Sequence, residues 1–188
     1  GNVQTRLRKL DEGQYAAIVL AAAGLKRLGL HERIHSVFEP AQMLPAAGQG
    51  ALGIEIRSDR QDLRAALAPL AHERSWLTVT AERAVSRAMG GSCSMPLAAH
   101  GQWSGDQLRL QAAWGDMEGQ LPLVRAEGEA CVRTLDEADA LGLAVAARLR
   151  AAGAAPSGDD PRRATSASSQ RSKTESTRAS MRASFVGK

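Results

Sequence analysis

Aromatic side chains are almost missing from this chain. They make up 3% of it, as three Trp, two Phe and one Tyr. A surface that stacks successive bases needs more, so a reader of single-stranded nucleic acid is a poor fit. Cysteine is nearly as scarce. Cys93 and Cys131 form no CxxC pair of the metal-binding kind, and no metal site is expected. No apolar run approaches the roughly 20 residues of a membrane-spanning helix, and no stretch has the layout of a secretory signal. The expected setting is therefore a reducing cytoplasm, with no membrane partner. Most of the chain also lacks net charge. Between Pro156 and Lys188, seven basic residues stand against three acidic ones, so this tail carries the whole formal charge of +4. The high isoelectric point describes the tail and not the remainder. An initial methionine is absent as well. The chain opens Gly1-Asn2-Val3 and reads as a piece of something longer.

What is present suffices for folding. Hydrophobic residues make up 44%, an ordinary share for a globular chain, and 188 residues allow one or two small domains. Val3, Leu7 and Leu10 recur at helical spacing and predict a short helix over 2–13, stopped by Gly13. The unbroken apolar run from Ala16 to Ala21 reads as a strand buried on both faces, as in a parallel sheet. A helix or turn follows over 24–29. Residues 44–57 begin as a Pro/Gly-rich loop and end as a strand. Helices are expected over 58–70 and from about Glu73 to Met89, the second ended by Gly90-Gly91. Three strands then follow, at 97–103, 107–114 and 121–132, separated by Gly-containing turns. Thr134 caps a last helix to about Ala152, with Leu135, Ala138, Leu141, Val145 and Leu149 on one face. From Pro156 the chain is rich in Ser, Thr and Arg. Too little of it is apolar to offset its ordering entropy, so a disordered tail is expected.

Two features ask for chemistry. Cys93 stands in a loop just past the Gly90-Gly91 helix stop. As a thiolate it is a nucleophile; as a thiol it is a small hydrophobe, and residue type alone does not choose. Cys131 falls in the third strand pattern and reads as core. Arg6, Arg8 and Arg27 offer planar donor forks suited to carboxylates, or are simply solvated. Gly48-Gln49-Gly50 brings backbone amides toward an anion or serves as a hinge.

Taken together, four stretches point one way. GNVQTRLRKLDEGQYAAIVLAAAGLKRLGL, LPAAGQGALGIEIR, TAERA and GGSCSMPLAAHG occur in one order with consistent gaps. From Gly1 to about Gly153 the chain resembles the second half of the porphobilinogen deaminase (hydroxymethylbilane synthase) family. That resemblance implies a transferase that joins four porphobilinogen molecules head to tail, releasing ammonia, to give hydroxymethylbilane for haem and related pigments. It implies a dipyrromethane cofactor held as a thioether on Cys93. Arg6 and Arg27 match positions that bind the carboxylates of the pyrrole chain, and Gln49 matches a loop beside the cleft. The family motif departs here at Ser94-Met95, after the cysteine.

The implied fold is α+β in total. Residues 1–43 would be the remainder of a second α/β domain. Residues 44–72 would return to a first domain and act as linker. Residues 73–153 would form a small C-terminal α+β domain carrying the cofactor cysteine, and 154–188 a disordered basic tail. The catalytic aspartate of the family has no counterpart here, so no catalytic residue is assigned. Residues 1–57 are expected to be unstable without partners, whereas 73–153 is expected to fold alone. The implied partners are porphobilinogen, the growing polypyrrole and a separately supplied N-terminal half. The alternatives are a non-catalytic remnant, or a nucleic-acid binder working through its tail, whose binding would weaken steeply with salt.

Overall fold

The computed structural model describes residues 2–91, 95–115, 122–154 and 185–187. The chain divides into two compact units, Gly1–Met43 and Leu44–Lys188.

In the first unit, Asn2 caps helix α1 (Val3–Asp11), its side-chain oxygen accepting the Thr5 N–H at 2.8 Å. Helix α2 spans Ala22–Arg27, and a single 3₁₀ turn spans His31–Arg33. Among the described residues of this unit only Leu7 and Leu25 are buried. The expected strand at Ala16–Ala21 is not formed; the segment bends at Ala16, pairs with no strand among the described residues, and Val19 is 57% exposed. A strand needs a neighbour to satisfy its N–H and C=O groups, and the described residues of this unit offer none. Tyr15, Val37, Phe38 and Met43 are exposed as well.

The second unit opens with a loop and a short strand β1 (Leu52–Ile54). The helix expected over 58–70 begins at Gln61. It runs as α3 (Gln61–Leu67) and tightens into a 3₁₀ turn, Ala68–Leu70, where Pro69 has no N–H to donate. Helix α4 (Glu73–Ala88) starts at His72, whose Nδ1 accepts the Ser75 N–H. Three strands follow: β2 (Leu97–Ser104), β3 (Gln107–Trp114) and β4 (Val124–Cys131). They form an antiparallel meander in that order, with Gly101 opposite Leu110 and Leu110 opposite Gly128. Helix α5 (Leu135–Ala151) returns across the sheet. Helix α4 packs on β2 and β3, α5 on β3 and β4, and the helices pack on each other.

The core lies between the helices and the sheet. It contains Ala81, Val85, Met89, Ala99, Leu108, Leu110, Val145 and Leu149. Four of the five residues expected on the apolar face of α5 are buried; Leu135, at the first turn, is exposed. Cys131 is a correction. It is exposed, because in β4 Ala126, Gly128 and Ala130 turn inward while Arg125, Glu127, Glu129 and Cys131 turn outward. Most of the tail expected at 154–188 lies outside the described residues. Of it, Ala154 is buried, and Phe185–Gly187 forms strand β5, antiparallel to β1 with Ile54 opposite Phe185.

The two helices approach closely at Gly142. A Cβ there would lie 2.4 Å from the Ala81 carbonyl oxygen and 2.5 Å from the Ala84 Cβ. Backbone oxygen cannot swing aside, so the helices would have to separate. Gly142→Ala is expected to destabilise the second unit by about 2 kcal/mol or more, despite the better helix propensity of alanine. Thermal unfolding checks this.

The start of α5 is a capping box. Thr134 Oγ1 accepts the Glu137 N–H at 3.2 Å, and Glu137 Oε2 accepts the N–H groups of Arg133 and Thr134 at 2.7 and 3.0 Å. The Arg133 amide, then the Thr134 amide, hold the Glu137 carboxyl below its ordinary 4.5. A carboxyl lowered on folding stabilises the fold above its unfolded value, and that contribution fades as pH falls through the folded one. The melting temperatures of the protein and its Glu137→Gln variant should therefore differ at neutral pH and converge as the pH falls below 4.5 and on through the lowered carboxyl value. A gap that stays constant would contradict this.

Candidate functional site

Helix α4 ends in a turn that leads toward Cys93. Gly91 donates its N–H to the Ser86 carbonyl at 2.7 Å, with Gly90 and Gly91 at φ of 109° and 62°. That positive-φ pair closes the helix and redirects the chain. The Arg150 guanidinium donates to the Ala88 carbonyl, and Arg87 pairs with Asp139, so the last turn of α4 is bound to α5. Ser92, Cys93 and Ser94 lie outside the described residues. Chain resumes at Met95, which packs partly buried against the core.

The Gly48-Gln49-Gly50 loop lies at the seam of α4 and β2. Pro45 accepts the Ala99 N–H at 3.1 Å, and Ala47 packs against the core. Gln49 N–H bonds to the Ala46 carbonyl and Ala51 N–H to the Gly48 carbonyl, a double turn flanked by two positive-φ glycines. The Gln49 side chain is exposed.

Beneath the loop sits a residue that the sequence reading did not single out. Glu82, on α4, is 2% exposed. Its Oε2 accepts the Gly48 N–H at 2.7 Å and its Oε1 the Gly101 N–H at 2.8 Å. His100 Nδ1 lies 3.8 Å from Oε1. One turn earlier, Thr78 Oγ1 accepts the Trp103 indole N–H at 2.8 Å and donates to the Arg74 carbonyl, while the Arg74 guanidinium stands 5.1 Å over the Trp103 ring. The available signal was a glutamate in the otherwise buried stripe Thr78, Val85, Met89.

Arg6 on α1 and Arg27 at the end of α2 belong to the first unit, and both are exposed. Their neighbours are paired: Arg8 with Glu12 at 3.2 Å and Arg33 with Asp11 at 2.5 Å. Among the described residues neither Arg6 nor Arg27 has an ion-pair partner. Two guanidinium forks are thus open to an outside carboxylate. Among the described residues no cluster of His, Cys, Asp and Glu could hold a metal ion, and no helix is long and apolar enough to cross a membrane.

Two family models match the chain. Residues 1–65 match "Porphobilinogen deaminase, dipyromethane cofactor binding domain", and residues 76–151 match "Porphobilinogen deaminase, C-terminal domain". Arg6, Arg27 and Gln49 fall within the first match and Cys93 within the second. The chain is 68% identical over 152 residues to a porphobilinogen deaminase of Albidiferax ferrireducens, covering 81% of this chain and 48% of that protein. It is 59% identical over 155 residues to one of Ralstonia nicotianae, covering 82% of this chain and 46% of the relative. A third, of Paraburkholderia phymatum, is 56% identical over 154 residues, again covering 82% of this chain and 47% of the relative. The chain spans about half the length of the curated relatives it matches.

The outward position of Cys131 bears on any thiol chemistry here. A maleimide added to the native protein should label Cys131 within minutes, as peptide mapping would show. Protection of Cys131 until the protein is unfolded would contradict its exposure.

Proposed function

The chain belongs to the porphobilinogen deaminase family, and on that basis we propose that it is the part of such an enzyme that anchors the dipyrromethane and binds pyrrole carboxylates. The reaction is the condensation of four porphobilinogen molecules into hydroxymethylbilane with release of ammonia, in a cytoplasmic setting. The observation that carries this reading is the pair of open guanidiniums, Arg6 and Arg27, beside arginines that are already paired. A dipyrromethane bears acetate and propionate groups, and planar donor forks suit them. Gln49 adds an exposed amide that donates to the same kind of oxygen. Cys93 would hold the group through its sulfur, a thiolate being the competent nucleophile for that bond. When bound, the group supplies the primer to which pyrrole units are added. Arg6 and Arg27 neutralise carboxylates as they arrive, and Gln49 orients them. No residue of this chain is assigned the proton transfers of ammonia loss.

A complementary polypeptide is part of this proposal. The first unit exposes Tyr15, Val19, Val37, Phe38 and Met43, and its apolar run Ala16–Ala21 has no strand partner among the described residues. Such a surface calls for apolar cover and backbone hydrogen bonds. The portion of the relatives that this chain does not span fits that need. Without it, the chain would be a non-catalytic remnant.

The test is turnover of porphobilinogen. The chain alone should release no ammonia. Joined to the complementary portion of the Albidiferax ferrireducens relative, it should. In that assembly Arg6→Ala and Arg27→Ala should each lower kcat/KM about 10- to 100-fold, the scale of one lost charge-assisted contact. Full activity in both variants would exclude the carboxylate role. No turnover in the assembly would favour the remnant.

A further inference from the structure

A carboxylate 2% exposed is a costly group to place under a surface loop, because burial strips its water. Glu82 meets that cost with two backbone donors that come from different segments, Gly48 at 2.7 Å and Gly101 at 2.8 Å. One donor belongs to a strand whose place is already set by its register with β3. The other belongs to a loop that no strand holds. Among the described residues the loop is also tied by the Pro45 carbonyl on Ala99, three residues upstream of Gly48, and by the packing of Ala47. Gly48 and Gly50 at φ of 76° and 84° give Gln49 a tight double turn, and glycine at both positions leaves that turn easily deformed. The Glu82 anchor falls one residue before Gln49.

We infer that Glu82 is a positioning residue: from helix α4 it fixes the Gly48-Gln49-Gly50 loop against β2, so that Gln49 is presented by the same helix that leads to the Cys93 loop. The part of this inference that concerns Gln49 rests on the function proposed above; the tether itself does not.

Amide exchange in the full chain tests the tether. In Glu82→Gln, one carboxylate oxygen becomes an NH₂ that faces a backbone donor. Whichever of the Gly48 and Gly101 amides faces that NH₂ should then exchange about tenfold faster or more, while those of Val85 and Leu149 change by less than about twofold. A Gly48 amide left unchanged in both this variant and Glu82→Asp would overturn the inference, and so would equal acceleration throughout the core. If Glu82→Gln does not fold, Glu82→Asp, one methylene shorter with the charge kept, should show the same selective loss. Porphobilinogen binding by the assembled enzyme tests the positioning. Gln49→Ala and Glu82→Gln should each weaken binding about tenfold, and the double variant should be no worse than either. Additive losses would overturn the positioning of Gln49 by Glu82. Unchanged binding in Gln49→Ala would instead remove the proposed role of Gln49, leaving the tether to stand on the exchange result.

Discussion

Gly142 leaves no side chain between α5 and the backbone of α4 at Ala81, and much follows from that contact. It brings α4 down onto the helix layer at Ala81 and Ala84. The other side of α4, with Thr78, Glu82, Val85 and Met89, then meets the sheet. A helix held on two sides can carry a buried charge in a defined place. Glu82 is that charge, and the loop at Gly48 and the strand at Gly101 are arranged around it. The last turn of the same helix is bound to α5 through Arg150 and Arg87. Packing, the seam under the loop and the approach to the cysteine loop are therefore properties of one helix pair.

The first unit has no such constraint. Two short helices bury Leu7 and Leu25, while Tyr15, Val19, Leu28, Val37, Phe38 and Met43 stay exposed. Its polar chemistry is nevertheless sorted. Arg8 and Arg33 answer acids within the unit, whereas Arg6 and Arg27 have no ion-pair partner among the described residues. Cover for the apolar surface and ligands for the open guanidiniums both have to come from outside the unit. The chain spans about half the length of the curated relatives it matches, and under the proposed function the remaining portion supplies that cover. Under the proposed function, the carboxylates of a pyrrole chain are those ligands.

Where interactions are local, the sequence was legible. The cap at Thr134, the three-strand meander and the apolar face of α5 all depend on neighbours a few residues away, or on the next strand. The Ala16–Ala21 run was misread because its pattern is right for a strand and its partner is not among the described residues. Cys131 was misread because hydrophobic company was given more weight than parity. Arg125, Glu127 and Glu129 alternate with small residues, and that alternation alone places position 131 outward. Nothing local reveals the role of Glu82, since its partners are amides 34 and 19 residues away. Of the site residues, Arg6, Arg27 and Gln49 are legible only through family resemblance, because an exposed side chain carries no local pattern that marks its ligand.

The most direct test is the intact denatured mass of the chain isolated from its own cells, with peptide mapping across Ser92–Ser94. The account predicts two linked pyrrole units carried on Cys93 and none on Cys131. A bare Cys93 in protein that has been produced together with the complementary portion would contradict it.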